Sequence, residues 1–114
     1  MLKTLELLSK CSIIESYSIL DYKQGTGFYY LRCISKLIDE SQLHIREFQS
    51  EEEFKYSYHW QDQEGNRISR WDNAPHFKNL DSFPHHIHKT DSVEEYVFVS
   101  LENILLEIKE IIKP

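Results

Sequence analysis

Long apolar runs are missing from this sequence. No stretch of its 114 residues approaches the roughly 20 consecutive apolar positions of a membrane helix. The opening residues are interrupted by Glu6 and hold no apolar core of a secretory signal. The expectation is a cytoplasmic protein without membrane contact. Glycine and proline are scarce, three of each, and no repeat or low-complexity tract is visible, so residues 1–114 are expected to form one domain. The two cysteines, Cys11 and Cys33, have no CxxC or metal spacing and read as reduced core thiols. An excess of basic charge is missing too. A net charge of −6 excludes a general nucleic-acid coat, which needs a basic surface to neutralise phosphates.

What the chain does have is aromatic and β-branched residues in alternating patterns. Leu2, Leu5 and Leu8 have helical spacing and predict a short N-terminal helix. Residues 13–22 and 28–38 predict two strands around a hairpin turn at residues 23–27, and residues 43–48 predict a third. Phe54, Tyr56, Tyr58 and Trp60 alternate with Lys55, Ser57, His59 and Gln61, the pattern of a half-buried strand. Residues 67–72 make a fifth strand, and residues 94–99 a short sixth. Ser100 is a suitable N-cap for a final helix with Leu101, Ile104, Leu105, Ile108, Ile111 and Ile112 as its apolar stripe. The fold class is therefore α+β: an antiparallel meander of five or six strands, packed by a C-terminal helix and a short N-terminal one.

Between residues 74 and 90 the periodicity vanishes, and there the histidines gather. Four of the chain's six lie between His76 and His88, where an even spread would place fewer than one. Residues 67–90 also carry Arg67, Arg70, Lys78 and Lys89 against Asp72 and Asp81, a local excess of two positive charges on an acidic chain. Strand geometry projects Arg70 and Asp72 to one face and turns Trp71 to the other, towards the core. Asp72 and Asn73 suit the turn that Pro75 begins, and Asn73 can serve there or in catalysis. His76, His85, His86 and His88 can divide acid and base roles near neutral pH. Arg70 matches a phosphate, and Asp72 can orient an imidazole. Arg67, Lys78 and Lys89 are candidate substrate contacts. This inventory fits metal-independent cleavage of RNA, in which the 2′-hydroxyl is the nucleophile, and calls for no metal and no cofactor. Two other readings stay open: a histidine-rich metal site built from His86, His88 and Asp72 or His76, and a loop that is structural or contacts a partner. His44 and His59, alone on their strands, read as ordinary surface histidines.

The run Arg70-Trp71-Asp72-Asn73-Ala74-Pro75-His76, followed by Phe83-Pro84-His85-His86-Ile87-His88, resembles the signature of the TumE-type toxins of toxin–antitoxin modules. The strand Tyr56-Ser57-Tyr58-His59-Trp60 and the Glu64-Gly65 turn fit the same pattern, and the likeness covers residues 54–89 best. Phe77 and Ile87 depart from it, standing where relatives often carry histidine and lysine. The resemblance implies a growth-inhibiting toxin held in check by a cognate antitoxin. Joined to the histidine chemistry, it leads to an endoribonuclease with RNA as substrate and Arg70, Asp72, Asn73, His76, His85, His86 and His88 as its site. A toxin that inhibits a replication or translation protein by binding is the alternative, and a homo-oligomer is left open.

Overall fold

The computed structural model describes residues 2–96 and 100–112. Helix α1 (Lys3–Lys10) leads into seven strands: β1 (Ile14–Gly25), β2 (Phe28–Leu37), β3 (Gln42–Gln49), β4 (Phe54–Gln61), β5 (Arg67–Asp72), β6 (His86–His88) and β7 (Val93–Glu95). Helix α2 (Leu101–Ile112) follows. The strands pair antiparallel in chain order, so the sheet is one continuous meander. The expected α+β architecture is present, with seven strands in place of five or six.

The differences have local causes. The hairpin turn expected at residues 23–27 contracts to Thr26 and Gly27, because Lys23, Gln24 and Gly25 continue the ladder opposite Tyr30, Tyr29 and Phe28. Gly27 takes φ +78°, the left-handed conformation that a two-residue hairpin turn demands. The additional strand, β6, lies inside the aperiodic segment. Three residues are too few to show alternation, and His-Ile-His reads as polar sequence until Ile87 is seen buried between two strands. Of the strand expected at residues 94–99, Glu94 and Glu95 belong to β7, and residues 97–99 lie outside the described ones.

Alternation sorts the sheet into two faces. Leu31, Cys33, Ile45, Tyr56, Tyr58, Trp60, Trp71 and Ile87 are buried against Leu8 of α1 and Leu101, Ile104, Leu105 and Ile108 of α2. Burying each large apolar side chain in this layer contributes about 1.5–3 kcal/mol. Ser100 caps α2, its Oγ accepting from the Asn103 amide at 3.2 Å. The apolar stripe of α2 is shorter than expected: Ile111 is 61% exposed and Ile112 only half-buried. Cys33 is fully buried and Cys11 partly so, both as free thiols. Both helices cover the same face of the sheet. Among the described residues no helix covers the other.

One charge is buried on the helix side. Glu47 is 3% exposed and accepts from Thr4 Oγ1 at 2.6 Å, from Tyr29 at 3.4 Å and from the Tyr58 hydroxyl. These bonds tie α1 to three strands. Glu47→Ala would leave three hydroxyls without their acceptor and is expected to cost about 3 kcal/mol in urea unfolding. Exposed Glu51→Ala is expected to change stability by less than about 0.5 kcal/mol. Burial, reinforced by Glu47, pushes the Tyr29 hydroxyl and the Cys33 thiol each up to about 12. Because their neutral forms are favoured in the fold, stability is expected to hold below the ordinary pKa values and to fall as pH rises towards 12. A pH series of thermal melts checks this.

Candidate functional site

The uncovered face is read most easily across the strands. The register sets His44 on β3, His59 on β4, Arg70 on β5 and His88 on β6 in one row. The neighbouring row runs Arg46, Ser57, Asp72, His86. The two strand-to-strand ladders thus assemble residues spread over more than forty positions of sequence. Trp71 and Ile87, between them in sequence, point to the core.

Asp72 is the centre of this constellation. Its carboxylate is buried, accepts from Arg70 Nε at 3.1 Å and from the Ala74 amide at 3.0 Å, and lies 3.5 Å from His88 Nε2 and 2.8 Å from His86 Nε2. His86 is 1% exposed, and its Nδ1 donates to the Pro84 carbonyl at 2.9 Å. That bond assigns the ring's proton to Nδ1, since a carbonyl can only accept. His86 Nε2 then has no hydrogen-bond partner, although it is close to the carboxylate. A proton or a cation between the two would relieve the repulsion. His88 is more open, at 18%, and Arg70 more still, at 39%. Phe77 closes the far side with its ring edge-on to His86 and His88, centroids 4.8 and 5.5 Å away.

The remaining sequence-derived candidates are placed elsewhere. His76 is exposed and makes no side-chain hydrogen bond or ion pair among the described residues; the adjacent Phe77 is what reaches the imidazoles. His85 lies on the other side of the strand, its Nδ1 3.0 Å from the Tyr56 hydroxyl and its ring stacked on Tyr56. The two histidine blocks therefore do not converge as one set. Asn73 spends its amide on β4, accepting from the Tyr56 amide at 3.0 Å and donating to the Phe54 carbonyl at 2.6 Å. Arg67 donates to the Lys89 carbonyl at 3.2 Å, Lys89 pairs with Glu94 at 3.2 Å, and Lys78 is exposed.

Two residues that the sequence reading passed over belong here. His59 faces Arg70 directly, and His44 packs edge-on against His59 with centroids 6.0 Å apart. Strand parity could have found them, since His44, His59, Arg70 and His88 share a face once the register is known. Burial first, then the cations of Arg70 and Arg67 and neighbouring His44, hold the His59 imidazole below its usual 6.5. His88 is also lowered, by burial chiefly, with Asp72 pulling the other way. His44 is lowered by burial and by Arg32, and His85 by burial and by His86.

Beside Arg70 and Asp72 opens a cleft of about 470 Å³, walled by Tyr30, Phe48, Pro75, Arg46 and Lys55. Asp72, His86 and His88 also offer three donor atoms within 4.8 Å of one another. Two imidazoles and a carboxylate are a donor set for a divalent transition-metal ion. The arrangement can therefore bind a phosphate on Arg70, move a proton at His59 or His88, and hold a cation at Asp72. The local fold depends on Asn73: its replacement by Ala is expected to cost about 1–3 kcal/mol in stability through two lost backbone contacts, measured by denaturant unfolding.

No curated protein and no solved structure gives a significant match to the chain. Residues 4–113 match the family described as Toxin TumE. The matched span holds all seven strands and every residue of the constellation around Asp72. The chain belongs to the TumE toxin family.

Proposed function

We propose that the chain is the toxin of a toxin–antitoxin module and that it cleaves RNA on the uncovered sheet face, with Arg70 holding the phosphate between His59 and His88. The observation that carries this reading is the cross-strand row, in which two imidazoles of lowered pKa flank a half-exposed guanidinium. Strands two apart are separated by about 10 Å, so a phosphate bound on Arg70 lies between the rings. One imidazole takes the proton of the 2′-hydroxyl as that oxygen bonds to phosphorus. The other protonates the 5′-oxygen as its bond to phosphorus breaks, leaving a 2′,3′-cyclic phosphate and a 5′-hydroxyl. Arg70 stabilises the charge on the non-bridging oxygens. Asp72 is a positioning residue for Arg70 and His88, and His86 packs behind them. His76 and Lys78, exposed on the loop that contributes Pro75 to the cleft, are available to the substrate strand rather than to the other imidazoles.

A partner antitoxin is supported by the family and by β1, a twelve-residue edge strand with Ile19, Leu20 and Tyr22 exposed. Such an edge is a template for pairing with another chain. One observation favours a second reading of the chemistry. The unpartnered, buried His86 Nε2 beside Asp72 suits a divalent cation held by Asp72, His86 and His88. That ion would activate a water or polarise the phosphate.

Labelled RNA incubated with the purified protein, with and without chelator, separates these readings. Cleavage that persists in chelator and falls about 10²–10⁴-fold in His88→Gln and in His59→Gln supports acid–base chemistry. Arg70→Lys is expected to lose part of the rate and Arg70→Ala more, since lysine keeps the charge without the planar fork. Cleavage lost in chelator and restored by a divalent ion supports the metal reading. An inactive wild-type protein whose toxicity survives both histidine substitutions sinks the enzyme and leaves a toxin that binds its target.

A further inference from the structure

The uncovered face carries a second set of charges that the cleavage chemistry does not use. Among their own described residues, strands β2 to β5 set six cationic side chains on it, Lys36, Arg32, Arg46, Lys55, Arg67 and Arg70, and one carboxylate, that of Asp72. The chain as a whole is at −6, so this concentration is local. Two of the six are set against each other. Arg32 on β2 stands between Asp21 on β1 and Arg46 on β3, and its opposition to Arg46 sets two like charges side by side, which disfavours the sheet unless an anion comes between them. Among the described residues neither has a carboxylate within 4.0 Å, whereas Lys36 pairs with Glu15 and Glu40, and Lys55 with Glu53. Both arginines are exposed.

The space around them is continuous with the site. A groove of about 130 Å³ is lined by Arg32, Arg46 and Arg70 together with His44 and Ser57. The larger cleft of about 470 Å³ shares Arg46, Ser57 and Arg70 with it. Ser57 stands between Arg46 and Asp72 in the cross-strand row, and its small side chain leaves the passage open. Tyr30 and Phe48, opposite each other on β2 and β3, form an aromatic wall of that cleft.

We infer that single-stranded RNA lies across this face, with successive phosphates on Arg70, Arg46 and Arg32 and an unstacked base against Tyr30 and Phe48. The three guanidinium groups span three strand spacings, roughly 14 Å. Aromatic side chains beside a cationic track are how single strands are held without wrapping, and a base inside a duplex cannot reach them. An acidic body with one narrow basic track suits such a ligand and disfavours a coated duplex. This rests on the reading of RNA as substrate and names where the strand outside the scissile phosphate goes.

The test is fluorescence anisotropy of a labelled 2′-O-methyl oligouridylate 12-mer, whose blocked 2′-oxygens prevent cleavage. Binding is thereby read apart from chemistry. Arg32→Ala and Arg46→Ala are each expected to weaken binding several-fold and to flatten the slope of log affinity against log salt by about 0.7 per phosphate lost. Phe48→Ala is expected to weaken binding by about 5- to 100-fold without changing that slope. Lys109→Ala, on α2 of the opposite face, is expected to change nothing. The melting temperature of Arg46→Ala is expected to stay level or rise, because the opposed charge is relieved, and that of Arg32→Ala to change little, because the relief is offset by loss of the charge opposite Asp21. Unchanged affinity and salt slope in the Arg32→Ala/Arg46→Ala double variant overturns the inference, as does equal affinity for a duplex of the same length. If the wild-type protein cleaves RNA in the assay above while these variants bind normally, the track falls and the catalytic reading stands.

Discussion

The carboxylate of Asp72 is the constraint on which the site-bearing end of the sheet depends. It is buried, and a buried charge persists only when cations or donors surround it. Arg70 from the same strand and the Ala74 amide from the following turn donate to it, and the imidazoles of His86 and His88 from the next strand lie against it. Asp72 on β5 and the two histidines on β6 thus meet across the two ends of the irregular segment. Arg70, held through its Nε, stays 39% exposed on the open face. The proposed chemistry therefore relies on an arrangement that the fold needs for its own sake.

The opposite side of the same sheet solves the same problem differently. Glu47 is also a buried carboxylate, but it is satisfied by hydroxyls from α1 and two strands and raises the pKa of its phenolic neighbours. Among the described residues no cation pairs with it. One buried acid thus fastens a helix and the other organises a surface. The difference lies in which face of the sheet the helices cover, and hence which face keeps access to solvent.

Much of this was legible in the residues. The alternation of Phe54 to Gln61, the opposite sense of Arg70 and Trp71, and the capped apolar stripe of α2 all report strong local periods, and the folded chain follows them. His86 and His88 share a side, as alternate residues of any extended segment do. The convergence of His76 with the second block does not occur. A loop of residues 73–85 has no period to read, and its path is set by Phe77 packing on imidazoles and by Ser82 bonding to the His85 carbonyl and the Tyr96 amide. His59 was overlooked for the complementary reason: its local pattern is that of any solvent-facing strand position. Only the pairing with Arg70 distinguishes it.

The amino-acid order alone determined the fold class, the two helices, the faces of the long strands and the likeness to a toxin family, since each follows from nearest-neighbour periodicity or from a contiguous motif. Tertiary structure alone decided which histidines meet. Cross-strand partners such as Arg32 and Arg46, or His59, Arg70 and His88, come together through register, and register is set by bulges, turn lengths and burial summed over the whole sheet. A shift of one residue in any ladder would send the opposing side chains to the other face. That is why the chemistry of this surface belongs to the sheet and not to any one segment of the chain.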